Sequence, residues 1–394
     1  MKTKLSAPRD IIFPVFLLLV FVFTPVREIR FVALLFVLIR VLGLIYSKIA
    51  PLCIEIKRNE EVLHANRHQR FRVNLVVRNK SILPLHYISI MDTLGDLYSG
   101  DLRTFLIGLK AGETKTISYE AEGHDRGEFY LGPVYVKGAD PFGFYRWEKT
   151  INSMLKVIVY PSVHPVVLDE RTGLPSGNIK VSSKLYEDVT RYRSIREYIP
   201  GDPLKRINWK VSARLGKLYS MEYSPSIYFP VLILLNISEH DLPLAHREHL
   251  SNRSIEVAAS LVFFFVGLKQ EIGMVTTGKM PGVEGHPVVP IKSGHGHAIN
   301  ILEILARIQT SEDKTNFAQY VFRAGVSIQS GTKIMVVTPP PRVEEREALL
   351  SAKRRGYDME VFVVSSYAMK REDAMVHGLL THSVREYGTE LLNE

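Results

Sequence analysis

Two apolar runs near the start of the chain dominate its hydrophobic pattern. Ile11–Thr24 is apolar throughout, with Pro14 as a kink, and Phe31–Tyr46 follows after a short charged turn. Flanking residues extend both runs toward the roughly 20 residues that a bilayer-spanning helix needs. The pattern predicts a transmembrane helical hairpin over residues 1–50.

A cleaved signal peptide is the alternative for the first run, but no small-x-small cleavage site follows Thr24. Arg40 lies inside the second run, where we expect its charge to snorkel toward the headgroups instead of marking a helix interface. Two spans place both soluble flanks on one side of the cell membrane, and basic flanks favour the cytoplasm. The flanking residues are Lys2, Lys4, Arg9, Lys48, Lys57 and Arg58, whereas Arg27 and Arg30 in the turn argue against that side.

Short runs with a period of two follow in residues 51–162. This alternation is typical of strands with one buried face, and glycine-containing turns separate the runs. The runs are Phe71–Val77, Tyr87–Met91, Lys115–Ala121 and Leu155–Tyr160, and the turns are Gly100–Asp101, Ala111–Gly112 and Gly138–Asp140. We predict an antiparallel, immunoglobulin-like β-sandwich that serves as a spacer or docking surface.

The period changes again in residues 228–394, where continuous apolar strands alternate with helices. The strands are Phe229–Leu235, Ile272–Thr276, Lys333–Thr338 and Met359–Val364, and the helices are Ile255–Leu268, Ala298–Ile308 and Glu344–Arg354. Such alternation predicts a doubly wound parallel sheet, in which ligands bind beyond the carboxyl ends of the strands. With the preceding regions, this gives a membrane-anchored α+β multidomain protein.

Residues 163–227 connect the two predicted soluble domains and contain the most distinctive stretch, Tyr192–Tyr223. Asp202 is a suitable N-cap, Pro203 suits the first helical position, and Gly216 predicts the end of one helix. The apolar residues between these two ends recur at helical spacing, as do the basic residues, so the helix would have one buried face and one cationic face. The buried face would contain Leu204, Ile207, Val211 and Leu215, and the cationic face Arg206, Lys210 and Arg214.

A longer set of residues in this stretch follows a recognisable pattern. They are Arg196, Glu197, Tyr198, Pro200, Gly201, Asp202, Arg206, Ile207, Asn208, Trp209, Lys210, Ser212, Ala213, Arg214, Gly216, Lys217 and Leu218. The pattern resembles the signature of the domain of unknown function 58 family of prokaryotic, mostly membrane-anchored proteins. Arg126–Pro133 and Asp140–Gly143 also look like parts of that family. The resemblance implies a von Willebrand factor type A-like domain and a partnership with MoxR-type AAA+ ATPases, but it names no reaction.

The loop Asn236–His240 follows the first strand of the predicted parallel sheet. Many type A domains carry D-x-S-x-S in this position and hold a divalent cation with its oxygens, whereas here only Ser238 matches. Asn236 replaces the charged ligand and His240 the second hydroxyl, while Thr276 or Thr277 would lie nearby at the end of the next strand. A metal-free interaction edge is therefore favoured over a Mg²⁺ site, and no cofactor is predicted.

Charge and composition narrow the classes of partner. A formal net charge of +9 suits an anionic lipid surface, nucleic acid or an acidic protein, and membrane anchoring favours lipid over nucleic acid. Cys53 is the only cysteine, which excludes an intramolecular disulfide and a cysteine metal cluster. His286, His295 and His297 lie in a glycine-rich stretch and would bind zinc with a further ligand, but a mobile surface loop is favoured.

Three functions remain. The leading hypothesis is a membrane-anchored protein-interaction or assembly factor working with a MoxR-type ATPase. The second is a phosphate-handling enzyme, with Glu197 or Asp202 as base and an anion site formed by Arg196, Arg206, Lys210 and Arg214. The third is binding of anionic lipid or nucleic acid through the basic helix, which would weaken as salt rises.

Overall fold

The computed structural model describes residues 15–16, 19–95, 102–166, 186–226, 229–312, 317, 320, 331–365, 376 and 378–385. The chain divides into two compact units, Met1–Tyr160 and Pro161–Glu394. The first unit combines an apolar helix with three β-sheets, and the second contains a six-stranded sheet with helices. The prediction of a mixed α and β protein with an N-terminal apolar helix is confirmed at this level.

The first unit begins with helical structure in the predicted anchor. Residues 19–23 are helical, residues 24–26 are not, and helix α1 then covers Arg27–Cys53. With 27 residues and a mean hydropathy of 2.3, α1 is long and apolar enough to cross a bilayer. Residues 11–14 and 17–18 of the first predicted span lie outside the described residues. The helix expected over Phe31–Tyr46 is thus present and extends beyond both ends of that run.

The second half of α1 packs against the β-strands of the first unit. Arg40 is buried, and its guanidinium lies over the rings of Phe144 and Tyr145, with its central carbon 4.9 and 5.1 Å from the ring centroids. The Tyr46 hydroxyl donates a hydrogen bond of 2.8 Å to the backbone oxygen of Pro84. Arg40 therefore has aromatic partners within the protein, in place of the predicted snorkelling.

Ten strands follow α1 in the part of the first unit that the structure describes. They are β1 (Ile54–Arg58), β2 (Val62–Asn66), β3 (Arg70–Asn79), β4 (Leu85–Thr93), β5 (Leu102–Leu109), β6 (Thr114–Glu122), β7 (Gly127–Leu131), β8 (Val134–Ala139), β9 (Arg146–Ile151) and β10 (Leu155–Tyr160). The sheet orders are β1-β3-β6, β2-β10-β7 and β5-β4-β8-β9. All pairs are antiparallel except β2 with β10. Alternating side chains from all three sheets enter one hydrophobic core, as the period of two predicts.

The predicted turn at Gly138–Asp140 is wrong in its first two residues. Gly138 and Ala139 belong to β8, where Gly138 lies opposite Trp147. A Cβ on Gly138 would lie 2.2 Å from the buried indole, so the glycine leaves room for the ring. The turn begins at Asp140, whose carboxylate accepts hydrogen bonds from the backbone N–H groups of Phe142 and Tyr145. Capping of this turn by Asp140 is therefore confirmed.

The second unit contains a hairpin and a larger sheet. The hairpin strands are β11 (Tyr186–Glu197) and β12 (Tyr219–Ser226), with helix α2 (Trp209–Leu215) between them. The sheet strands are β13 (Val231–Leu235), β14 (Ile272–Thr276), β15 (Val288–Lys292), β16 (Lys333–Thr338), β17 (Asp358–Ser365) and β18 (Leu380–Arg385). The longer helices are α3 (Arg247–Gly267), α4 (His295–Arg307) and α5 (Val343–Arg354). The hairpin, β15 and β18 were not predicted from the sequence.

The larger sheet has the order β15-β14-β13-β16-β17-β18, with β15 alone antiparallel. Every residue of β13 is buried, since both faces of this central strand are covered. Side chains of α3 and α4 pack on one face, and α5 with Phe317 packs on the other. The predicted alternation of buried strands and helices on a parallel sheet is confirmed.

Candidate functional site

The carboxyl ends of β13, β14 and β16 lie side by side at the centre of the larger sheet. After β13 the chain continues to β14 on one side, whereas β16 pairs with the other side of β13. Ligands of open α/β sheets bind at such a change of direction. Asn236 follows β13, Thr277 follows β14 by one residue, and Thr338 is the last residue of β16. We call this region the carboxyl edge.

The side-chain amide of Asn236 connects these three strand ends. Its Oδ1 accepts hydrogen bonds from the Ser238 backbone N–H at 3.2 Å and from the Thr277 hydroxyl at 3.1 Å. Its Nδ2 donates to an Asp241 carboxylate oxygen at 3.0 Å and to the Thr338 hydroxyl oxygen at 3.3 Å. Asn236, Thr277 and Thr338 are all fully buried or nearly so. Of the two threonines considered from the sequence, Thr277 is therefore the one that contacts Asn236.

The other two residues of the predicted loop have different environments. Ser238 is buried and forms a parallel bridge with Ser311, but its hydroxyl has no hydrogen-bond partner among the described residues. The His240 side chain is exposed, and only its backbone oxygen accepts a hydrogen bond, from the Arg342 guanidinium. The structure therefore brings Asn236, Ser238 and Thr277 together and leaves the imidazole of His240 at the surface.

A hard divalent cation does not fit the loop residues as they lie. Mg²⁺ needs several oxygen ligands in octahedral geometry, usually with at least one carboxylate. The only side-chain oxygen of Asn236 already accepts two hydrogen bonds, and the Thr277 hydroxyl also accepts from the Ile237 backbone N–H at 2.9 Å. Both groups maintain the loop conformation. A Mg²⁺ ion would have to break this network, so we derive no chemistry from it.

Two carboxyl groups at the carboxyl edge were missed in the sequence. Asp241 and Glu345 are largely buried and share a hydrogen bond, and burial together with the charge of Asp241 raises the pKa of Glu345 to about 7. The backbone N–H of Arg342 donates to Glu345 Oε2 at 2.8 Å, and Arg342 Nε lies 3.5 Å from Asp241 Oδ1. Asp241 follows the predicted loop directly, and Glu345 lies in the first turn of a predicted helix. Both residues follow the carboxyl end of a predicted parallel strand, and this position could have identified them from the sequence.

The signature stretch differs from the single helix predicted for it. A short 3-10 helix covers Leu204–Arg206, and α2 begins only at Trp209. Asp202 is not an N-cap, because its carboxylate forms two hydrogen bonds of 2.8 Å with the Arg196 guanidinium and accepts one from the Ile199 N–H. The Arg196 hydrogen bonds hold the pKa of Asp202 below its ordinary value. This bidentate pair fixes the turn before the helix.

Asn208 is the residue that starts α2. Its side-chain oxygen accepts a hydrogen bond of 3.2 Å from the Val211 backbone N–H, which is the geometry of an N-cap. The predicted stop is confirmed, since Gly216 is the C-cap with a left-handed φ of 69° and donates its N–H to the Ser212 oxygen. The Ser212 hydroxyl accepts a hydrogen bond of 2.9 Å from the Tyr219 N–H. The helix is thus only seven residues long and is tied to β12.

The remaining signature residues hold the turn or line its surface. Pro200 and Gly201 lie in the turn, Tyr198 donates its backbone N–H to the Leu218 oxygen, and Lys217 forms an ion pair of 3.1 Å with Glu197. The backbone oxygen of Tyr219 accepts from the Asn208 N–H at 2.8 Å. These contacts attach the turn to the start of β12.

The predicted burial of one helix face is wrong for two of its four residues. Ile207 is buried, but Leu204 and Leu215 are 69% and 57% exposed. The indole of Trp209 is also 65% exposed. The exposed basic residues Lys210 and Arg214 are on the same short helix, whereas Arg206 lies in the 3-10 helix before it and is half-buried. The break at Ile207–Asn208 therefore interrupts the predicted cationic face.

The three histidines considered as zinc ligands are not grouped by the structure. His295 and His297 lie in the first turn of α4, so the predicted loop is wrong for them. The rings of His286 and His297 each lie 3.0 Å from a backbone oxygen, that of Gly278 and that of Ile272. Within the described residues, the cluster with metal-ligand spacing is elsewhere, at His68, Glu122 and His124.

Comparison with known proteins agrees with the signature. Residues 194–337 match the family model described as Protein of unknown function DUF58. An uncharacterized protein, YeaD of Bacillus subtilis, is 27% identical over 252 residues, which are 62% of this chain and 59% of that protein. The alignment therefore spans less than two thirds of the relative's own length.

Two solved structures each match about a quarter of the chain. The CARDB domain of the PF1109 protein from Pyrococcus furiosus, solved with di-metal ions, covers 27% of this chain and 91% of its own at 13% identity and a TM-score of 0.21. A beta-glucosidase from Listeria innocua covers 27% of this chain and 16% of its own, with 17% identity and a TM-score of 0.19. Likenesses this weak carry no argument about fold or function.

The matched range begins within β11 and ends within β16. It contains most of the signature stretch and the loop at Asn236. The resemblance expected from Arg196–Leu218 is therefore confirmed: residues 194–337 match the DUF58 family model, in a chain similar to YeaD.

Proposed function

We propose that this chain is a membrane-anchored interaction and assembly factor, which binds a partner protein through the exposed side chains of its signature stretch. The anchor in this proposal is a hairpin of two spans that includes α1, with both soluble units in the cytoplasm. The length and hydropathy of α1 support the anchor. The basic residues that flank the apolar runs support the cytoplasmic side.

The proposal treats the second unit as a von Willebrand factor type A-like domain and the first as an immunoglobulin-like sandwich. The strand order β15-β14-β13-β16-β17-β18 supports the former, since the parallel strands are joined through helices on both faces and the antiparallel strand is at the edge. The common core of the ten-stranded region supports the latter. The carboxyl edge would then be a second, metal-free contact surface, with His240 exposed above the buried residues Asn236, Ser238 and Thr277.

The observation that carries the proposal is the exposure of Trp209, Leu204 and Leu215 on a rigid segment. Tryptophan contributes unusually much to binding because it brings a large apolar area at a low cost in conformational entropy. The segment beneath these side chains is fixed by the Arg196–Asp202 pair and the Asn208 cap. Exposed apolar side chains on a segment held this firmly are typical of a protein-binding surface.

The charge of the surface indicates the chemistry of the partner. Lys210 and Arg214 are exposed beside Trp209 on α2, and Lys217 follows the helix. A complementary partner would offer an apolar recess bordered by aspartate or glutamate. By the family resemblance, a MoxR-type AAA+ ATPase is our candidate.

Binding of the full-length chain in nanodiscs to a purified MoxR-type ATPase from the same organism tests this proposal. We expect the W209A and L204A variants to bind about tenfold more weakly, or worse, as for central interface residues. V288A is the matched control, because Val288 on β15 is exposed to the same 65% as Trp209. Equal affinities for wild type, W209A and K210E would refute the proposed surface.

Two further assays distinguish the proposed function from the two alternatives. Binding to anionic vesicles that falls with salt and is lost in a K210A/R214A variant would favour a lipid surface. Turnover of a phosphate ester would favour an enzyme. The ion pairs argue against that reaction. The suggested base Asp202 is paired with Arg196 of the suggested anion site, and the other suggested base, Glu197, is paired with Lys217.

A further inference from the structure

Two histidines and a glutamate meet at one end of the β3–β6 pair in the first unit. Glu122 is the last residue of β6, His124 follows it by two residues, and His68 precedes β3. One ligand atom of each, two imidazole nitrogens and a carboxylate oxygen, lies within 4.8 Å of the others. This cluster takes no part in the carboxyl edge or the signature stretch, which belong to the second unit.

The backbone that carries the two histidines is fixed by several contacts. His68 donates its N–H to the Gly123 oxygen at 2.9 Å, which joins the segment before β3 to the segment after β6. Arg67 strengthens this junction, since its Nε donates to the His124 backbone oxygen at 2.6 Å and its Nη2 lies 3.6 Å from an Asp125 oxygen. The ligands are therefore held on two joined segments, and only their side-chain rotamers need to adjust.

The backbone of His68 is itself unusual. It has a φ of 60°, in the left-handed region that non-glycine residues seldom adopt. This conformation turns the His68 ring toward that of His124, with centroids 5.9 Å apart and planes tilted by 56°. A strained backbone that brings a second imidazole to the first is consistent with a role for both rings.

We propose that His68, Glu122 and His124 form a binding site for a zinc-class divalent metal ion. Two imidazoles and one carboxylate are a ligand set that zinc uses in proteins, and imidazole disfavours Mg²⁺ and Ca²⁺. Tetrahedral ligands at bond lengths near 2.0 Å are about 3.3 Å apart, so rotamer changes of about 1 Å close the site. Both histidines are exposed, which leaves the fourth position open to water or to a ligand from another molecule.

A neighbouring arginine competes with the metal for Glu122. Arg70 lies directly opposite Glu122 in the β3–β6 pair, with its Nε 3.7 Å from Glu122 Oε2. Its Nη1 also lies 3.9 Å from Glu120 Oε2, so Arg70 can keep an ion pair when the metal takes Glu122. Removal of the Arg70 charge should therefore strengthen metal binding, the opposite direction from loss of a ligand.

Calorimetric titration of tag-free, chelator-treated full-length protein with ZnCl₂ tests the site. We expect one zinc ion per chain at this site, with affinity reduced at least tenfold in H68N and H124Q and raised several-fold in R70Q. Asparagine tolerates the left-handed backbone of His68, so H68N removes the imidazole without new strain. E148Q and H295N are matched controls, since Glu148 is an exposed glutamate on β9 of the same unit and His295 is an exposed histidine of the second unit.

Co²⁺ substitution provides a second readout that does not depend on the number of weak sites. A four-coordinate site gives an intense visible absorption band, which H68N, E122Q and H124Q should abolish and E148Q should retain. Circular dichroism of each variant separates loss of ligands from loss of folding. Unchanged zinc affinity in both H68N and H124Q, or loss of binding only in H295N, would overturn the proposal.

Discussion

The buried pair of Asp241 and Glu345 makes the stability of the second unit depend on pH. Burial and the neighbouring Asp241 raise the pKa of Glu345 from its ordinary value of 4.5 to about 7, so the pair holds a proton near neutrality. The folded chain binds this proton more tightly than the unfolded chain. The stabilisation is therefore complete below pH 4.5 and is lost as the pH rises through about 7.

Glu345→Gln is the substitution that isolates this effect. Glutamine has the shape of the protonated carboxyl group, so its oxygen can accept from the Arg342 N–H while its amide donates to Asp241. The full pKa change corresponds to about 3 kcal/mol, and partial solvent screening reduces this to about 1–3 kcal/mol. We expect E345Q to match the wild type at pH 4 and to be more stable by that amount at pH 8.

Hydrogen exchange measured by mass spectrometry localises the effect to the second unit. Peptides covering β16 should lose about 10-fold to 100-fold of their protection between pH 5 and pH 8 in the wild type, relative to E345Q, after correction for intrinsic exchange. Glu347→Gln is the control, because Glu347 is exposed on the same helix. Parallel protection of wild type and E345Q across this range would refute the shared proton.

Three further substitutions test interactions that stabilise the second unit, measured by chemical denaturation of the whole chain. Asn208→Ala removes the cap of α2 and should cost about 1 kcal/mol, with weaker partner binding as a second readout. Gly216→Ala should cost about 1–2 kcal/mol because its φ is 69°, and no atom crowds the new methyl group. Lys333→Met breaks the buried ion pair with Glu360 and should cost about 3–5 kcal/mol, most of which a K333M/E360M variant recovers. Unchanged denaturation midpoints would contradict each expectation.

Most strands and helices of the second unit could be predicted from the sequence because the spacing of their buried residues matches the type of element. β13, β14, β16 and β17 are continuous apolar runs, which central parallel strands require. β15 was missed because its burial alternates at the edge of the sheet, where few apolar positions are needed. β18 was missed because its short run includes polar residues such as His382, which contacts Glu360 at 3.3 Å.

The signature stretch was harder to predict because Asp202, its best N-cap candidate by sequence, binds the side chain of Arg196 instead of a helix terminus. Asp202 followed by Pro203 is a good start for a helix, but the Arg196 guanidinium binds both carboxylate oxygens. Asn208 then supplies the cap six residues later. An ion pair thus overrides the local preference of Asp202 for a helix N-cap. Sequence spacing does not reveal which donor a carboxylate binds in the folded chain. The same limit applies to the Asp241–Glu345 pair, whose members are far apart in the chain.

The signature therefore combines two kinds of residue with different consequences. Arg196, Asp202, Asn208 and Ser212 satisfy backbone or side-chain groups of the turn and set its shape. Trp209 is exposed and forms no part of that internal network of hydrogen bonds. A large apolar ring gains little for folding in that position, since 65% of the surface of Trp209 remains in water. The free energy of burying this exposed area becomes available only when another surface covers it, which supports our proposal that the signature stretch binds a partner.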